Sequence, residues 1–421
     1  MIIISFIIML IVFLNGFIFE YKNKSPFLIF YIGLFVLVIY PSFINIFLFD
    51  EKLYQDNIYI EANLFSSLYL LVLFLFRKIF IDVFRIKNIW LDFVDDRKNK
   101  NYSDLNIIYI ILLILCFICF IVGLKLFSFS ALMSLNWWDL VRSNSKLVIL
   151  GTYLSYISCG ILIASHFSNN KREKILSYFI TTAFLVFSVF VLKTRSYVLM
   201  FLVPMFLYLI YSKKGIQLIK PIIFSVIIAF LFVFSRAVRH SSDLNEFLSA
   251  DIGLSITDAS QGAESTFIDA FYYFIYFNNN FPGFEKNFTL IRILLFWFPD
   301  FKPVEFSYLM HSAYFGSSPG EGLSMHPTVF GDAYANAWWF GAFIYSIFLA
   351  FYISMLESLV RFFDSSRDYF KVIVFSIISI VSLIFARGAI YNAFMYSFLP
   401  IIFLFILIYF FNKILKSRFL K

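Results

Sequence analysis

The stretch "PGEGLSMHPTVFGDAYANAWWFGAF", Pro319 to Phe343, gathers Glu321, His326, Asp332 and Asn336 just ahead of an apolar run in a chain made mostly of Phe, Ile, Leu and Tyr. Where those polar groups stand decides the fold. From Pro327, a residue suited to the first turn of a helix, the apolar character runs to about Leu356. Read as one α-helix, that is about 45 Å at 1.5 Å per residue, enough to cross the hydrocarbon core and headgroup layers of a bilayer. Its first turns then stand at the membrane surface.

Composition points to the same solvent. The 421 residues are 61% hydrophobic, 22% aromatic and only 14% charged, and mean hydropathy is +0.86. Soluble domains carry about 25% charged residues. The chain therefore reads as an all-α polytopic membrane protein. A β-barrel is excluded, because its strands alternate over about ten residues instead of running continuously apolar. Eleven runs of near-spanning length occur, at roughly 2–19, 27–49, 62–80, 107–128, 147–168, 176–192, 197–212, 220–236, 327–356, 371–386 and 394–411. The N-terminal "MIIISFIIMLIVFLNGF" has neither a basic leading region nor a small-residue cleavage site, which argues for a retained helix.

Basic residues set the expected orientation. With the N-terminus outside, the segments that fall in the cytoplasm hold 22 of the 34 Lys and Arg, including Arg77 in "RKIFIDVFRIKNIWLDFVDDRKNK". That excess selects N-outside, C-inside. The net charge of +8 then serves as topology signal toward anionic lipid and calls for no nucleic-acid partner. One integral membrane domain is expected in three stretches: a bundle of about eight helices over 1–235, a large extracytoplasmic loop over 236–326, and about three helices over 327–421. Inside the loop, "FIDAFYYFIYF" and "NFTLIRILLFWFP" are too short to span and read as interfacial or re-entrant helices. Phe267, Phe271 and Phe274 recur at helical spacing and would lay the first of them flat on the bundle.

Several chemistries find no motif. There is no Walker-type phosphate loop, HExxH or GxSxG. Cys116 and Cys119 form a C-x-x-C inside an apolar span, where small packing residues are expected in place of a redox or metal site. No repeat of the kind that builds inverted-topology transporters is evident.

Chemistry-bearing residues gather instead at the outer ends of helices. Arg142, Arg195, Arg236, Arg239 and Arg387 all fall on the face that the positive-inside bias disfavours for arginine. Arg236 and Arg239, three apart, share a helix face. Guanidinium groups at headgroup depth suit bidentate capture of phosphate or pyrophosphate. On the ninth run, Thr328, Asp332, Asn336 and Trp339 recur at i, i+4, i+8 and i+11, one polar stripe expected to line a cavity, since a lipid-facing carboxylate is costly. Gly331 and Ala335 offer a neighbouring small-residue face for close helix approach. The flexible "GSSPGEG" before it would let Glu321 and His326 swing over that cavity.

Many spans, one long external loop late in the chain, arginines at outer helix ends and "HPTVFGDAYANAWWFGAF" entering a helix together resemble the bacterial O-antigen and capsular polysaccharide polymerases, the Wzy group. The resemblance implies a GT-C-like membrane fold in the bacterial cytoplasmic membrane with an extracytoplasmic active site. It also implies transfer of a growing glycan from a polyprenyl pyrophosphate to a sugar hydroxyl of the next lipid-linked repeat unit. No cofactor or metal is implied; the partners are the lipid-linked donor and acceptor, membrane lipid and a chain-length regulator. On this resemblance Arg195, Arg236, Arg239 and Arg387 would clamp pyrophosphate, and His326 would be the base, with Asp332 and Glu321 as rivals or orienters. Asn336, Tyr334 and Trp339 would contact the glycan. An O-antigen ligase shares this architecture and differs in its acceptor. A flippase of lipid-linked sugars is the rival of another class, expected to carry charges or helix breaks at mid-membrane.

Overall fold

The computed structural model describes residues 1–47, 53–86, 89–90, 106–128, 145–166, 171–187, 195–212, 223, 265–277, 289–298, 301, 303–316, 325–360 and 368–418. Every long regular element among them is helical. In chain order these are α1 (Ile2–Lys22), α2 (Leu28–Leu34), a π-helical turn Phe35–Ile39, α3 (Tyr40–Phe47), α4 (Asp56–Val83), α5 (Asn106–Gly123), α6 (Lys146–His166) and α7 (Lys171–Val186). There follow α8 (Arg195–Ser212), α9 (Ser265–Tyr276), α10 (Thr289–Leu294), α11 (Phe306–Phe315), α12 (Thr328–Leu359), α13 (Asp368–Arg387) and α14 (Ile390–Arg418). Helices lie at each expected run except 220–236, which falls outside the described residues apart from position 223. Among the described residues four helices are long and apolar enough to cross a membrane: α1, Leu28–Phe47, α4 and α12.

The chain divides into two compact units. One comprises Met1–Asp95, Ile256–Phe362 and Ile378–Phe394, the other Asp96–Ser255, Phe363–Ile377 and Met395–Lys421. The first thus draws on all three of the stretches 1–235, 236–326 and 327–421. In the second, α5 packs on α6, where Gly151 admits the Cys119 side chain and its carbonyl accepts from the Cys116 thiol at 3.3 Å.

In the first unit α4 is the central post, packed against α1, α9 and α12. One end is tied by charge. Arg77 of α4 is fully buried, and donates Nε and Nη2 to Glu20 of α1 at 2.9 and 3.0 Å and Nη1 to Glu357 of α12 at 2.9 Å. Ser25 and Trp90 donate to Glu357 as well, at 2.7 and 3.2 Å. Three helix ends are thereby fixed together, because any one partner left alone would be a buried unpaired charge. Arg77, counted in the sequence as part of a basic loop, is an interior group of α4. Its charge is matched by the two carboxylates.

At the other end of the unit, α9 is buried over a wider face than the stripe of Phe267, Phe271 and Phe274. Ile268, Ala270, Phe271, Tyr272, Phe274 and Ile275 are all buried, a face of about 200° at 100° per residue, while Asp269, Tyr273 and Tyr276 on the other side are partly exposed. A helix with one wide apolar face packs that face against its neighbours. It is wedged between α4, α12 and the Phe35–Phe47 segment.

Candidate functional site

The segment entering α12 is distorted at both ends. Thr328, a β-branched residue, has φ +65°, and Trp338 has φ 52° and ψ −141°. L-residues rarely adopt either backbone, and such strain persists only where surrounding packing enforces it. At Ala337–Trp338 the helix breaks, and Gly341 comes up against the Ala333 carbonyl. In a straight helix those residues would lie about 12 Å apart along the axis. The expected single 45 Å rod is therefore two pieces folded against each other. The long piece, from Trp339 to Leu359, still reaches about 31 Å, a membrane-spanning length.

The bend also divides the expected stripe. Asp332 and Asn336 stay together, the Asn336 amide donating to the Asp332 carboxylate at 2.6 Å and to its carbonyl at 2.8 Å. Asn336 Oδ1 in turn accepts the Thr289 N–H at 2.8 Å, which fixes the start of α10. Trp339 lies past the break and turns elsewhere. Its indole N–H and the Tyr334 hydroxyl both donate to Glu61 Oε1 of α4, at 3.2 and 3.0 Å, and both rings lie edge-on to Phe65. Trp338, half exposed, donates to the Tyr334 hydroxyl at 2.8 Å.

A second helix break meets the first. α13 closes with Gly388 N–H on the Phe385 carbonyl and Ala389 N–H on the Ile384 carbonyl, a Schellman pair with Gly388 at φ +95°. A Cβ at Gly388 would overlap the Thr328 carbonyl, so glycine serves both the turn and the close approach. This contact brings Arg387, the last residue of α13, near His326, the residue before Pro327. The Arg387 guanidinium is exposed and sits 5.2 Å over the Phe267 ring of α9. His326 is buried; burial, and then the charge of Arg387, hold its imidazole well below the ordinary histidine value. The next helix begins at once, and the Asp332 carboxylate lies near Ile390 at its start and near Thr289 of α10.

Two further charged residues complete the site. Glu305, just before α11, is near enough to act electrostatically on Asp332 and accepts from Ser307 at 2.8 Å and Asn392 at 3.3 Å. Arg292 of α10 lies 3.8 Å from Glu305, donates to the Pro303 carbonyl and stacks 4.4 Å over Tyr391. Sequence reasoning passed over both. Arg292 carried the same signal as Arg387, an arginine in an apolar run on the disfavoured face, whereas Glu305 in "KPVEFS" carried none.

Of the residues expected to act together, His326 lies close enough to Arg387 to feel its charge and Asp332 pairs with Asn336, both on the segments that form the junction of the two breaks. Tyr334 and Trp339 meet around Glu61. The expectation that Gly331 admits another helix holds: a Cβ there would sit 3.1 Å from Phe271 of α9. Arg195 opens α8 in the other compact unit, and its side chain lies outside the described residues, as do Arg142, Arg236, Arg239 and Glu321.

No known family model matches the chain, and no curated protein or solved structure matches it either.

Proposed function

We propose that the protein is a membrane glycosyltransferase that joins polyprenyl-pyrophosphate-linked repeat units at the outer face of the bacterial cytoplasmic membrane, a polysaccharide polymerase. The observation that carries this reading is the nearness of His326 to Arg387 where two interrupted helices meet, with the Asp332–Asn336 pair on the same helix entry. Irregular backbone at membrane depth is tolerated where it is buried in protein or lines a polar cavity, so the junction suits a substrate site. α12 and α14 both begin there, and helix N-termini favour negative charge. Arg387 and Arg292 add fixed positive charge, giving surroundings matched to a leaving pyrophosphate.

The chemistry assigned to the residues is direct. The acceptor sugar hydroxyl attacks the anomeric carbon of the donor, the bond from that carbon to the pyrophosphate oxygen breaks, and the carrier pyrophosphate departs with the electron pair. His326, held neutral at pH 7, takes the hydroxyl proton, while Asp332 and Asn336 orient the acceptor. Arg195, Arg236, Arg239 and Glu321 enter the proposal as further clamp and orienting groups on the strength of the family resemblance. The reading includes about eleven spans with the N-terminus outside and a GT-C-like arrangement. A ligase would use the same groups on a different acceptor.

A second reading, a flippase of lipid-linked sugars, is favoured by one observation. The break at Ala337–Trp338 divides α12 just ahead of its spanning piece, and broken helices bind substrate in transporters. Purified protein given lipid-pyrophosphate-linked repeat units without nucleotide distinguishes the two. The polymerase yields a ladder of products on one carrier, whereas a flippase changes only the leaflet of unextended units in sealed vesicles.

A further inference from the structure

α9 turns two different faces to its surroundings. On one side Phe267 lies under Arg387, and Phe271 packs on Phe330 and Tyr334 of α12, so this side backs the junction site. Asp269, between them, points about 200° away at 100° per residue. It is half-buried, and its carboxylate accepts from the Asn45 amide of α3 at 3.4 Å. Tyrosines crowd that side. Tyr54 and Tyr314 each lie close enough to Asp269 to feel its charge, Tyr54 stands 5.8 Å from the half-exposed Tyr276, and Tyr273 stands 4.9 Å from Tyr314.

This carboxylate is handled unlike the unit's structural ones. Glu20 and Glu357 are matched by Arg77, but among the described residues no cation pairs with Asp269. Burial alone pushes it up to about 6, which leaves it ionised at pH 7 and able to accept more bonds than the one from Asn45. A phosphate would be repelled here, and a lipid tail would gain nothing from the carboxylate. A neutral sugar offers what the surface can take: adjacent hydroxyl donors for Asp269, and a C–H face to lie on the partly exposed tyrosine rings.

We propose that Asp269, Asn45 and Tyr54, with Tyr314 and Tyr276, form a carbohydrate subsite on the far side of α9 from His326 and Arg387, holding a sugar of the glycan at a distance from the reacting one. The assignment of that sugar to a lipid-linked glycan rests on the polymerase reading; the binding chemistry does not. Asp269 acts through hydrogen bonds to bound sugar, so it sets acceptor affinity and leaves the transfer step alone.

The test uses the full chain in lipid nanodiscs, free of glycoside detergent. Saturation-transfer NMR is run with a panel of methyl glycosides of hexoses, 6-deoxyhexoses and N-acetylhexosamines, plus tetramethylammonium. The ring protons of at least one glycoside should receive transfer. Asp269→Asn and Tyr54→Ala should each weaken its binding about tenfold or more, and lowering the pH through 6 should weaken it in the wild type, because the protonated acid accepts fewer bonds. No transfer to any glycoside, transfer unchanged in both variants, or transfer to tetramethylammonium alone would each overturn the subsite. Chain extension from lipid-linked units is measured in parallel. Asp269→Asn should raise the KM for acceptor about tenfold at unchanged kcat. Glycoside binding without extension leaves the subsite standing and removes the polymerase, whereas extension with an unaltered KM does the reverse.

Discussion

Replacing Asn336 with Ala tests the junction site at its best-defined joint. The Asn336 amide satisfies the Asp332 carboxylate at 2.6 Å and, through Oδ1, the Thr289 N–H at 2.8 Å, with all three residues buried. An ordinary hydrogen bond contributes about 0.5–1.5 kcal/mol, and a buried donor left unsatisfied costs about 1–3 kcal/mol. The two losses together come to about 1.5–4.5 kcal/mol, less whatever entering water returns. The cost falls on one place, the start of α10, so a local probe reads it best. Amide hydrogen exchange over 289–294 should quicken about a hundredfold, the equivalent of about 3 kcal/mol. Exchange over 345–356, deep in the second piece of α12, should hardly change. Because Arg292 rides on α10, glycan extension should fall with it. Unchanged exchange over 289–294 would refute the Asp332–Asn336–Thr289 linkage and with it the placement of Arg292 beside the site.

Three other outcomes follow from the geometry. Arg77→Met should cost about 3–5 kcal/mol in denaturant unfolding, since it strands two buried carboxylates, whereas adding Glu20→Leu and Glu357→Leu should recover most of that loss. The folded-state pKa of His326 lies below its unfolded value near 6.5, so the unfolded chain takes a proton that the folded chain refuses. Its stability contribution is therefore complete above pH 6.5 and is lost as pH falls below it, by at most about 1.4 kcal/mol per unit; His326→Gln should flatten that slope. Gly388→Ala should destabilise by about 2–5 kcal/mol, from the positive φ and from overlap with the Thr328 carbonyl, as read in the same unfolding assay.

The helices were legible because they are long and apolar, and a run of Ile, Leu and Phe needs no partner to declare itself. Their ends were less so. α4 extends through Arg77, which looked like a loop cation because its partners Glu20 and Glu357 lie 57 and 280 residues away in sequence. The junction site was half readable. Asp332 and Asn336 stand four apart on one helix, and local periodicity alone pairs them. Trp339 was assigned to the same stripe because nothing in "ANAWWFG" announces a break; the backbone at Trp338 is imposed by packing, with Gly341 the one residue that permits it. Arg292, Glu305 and the Gly388–Thr328 contact depend on the tertiary approach of distant segments, which spacing cannot encode.

Polymerisation by the purified chain remains the most direct test. Wild-type protein, supplied with lipid-pyrophosphate-linked repeat units and no nucleotide, should build a ladder of carrier-linked glycans, and His326→Ala and Arg387→Ala should leave the units unextended while the protein stays folded. A folded, inserted wild type that yields no product longer than a single unit with any acceptor, or a His326→Ala variant with an undiminished ladder, would contradict the account.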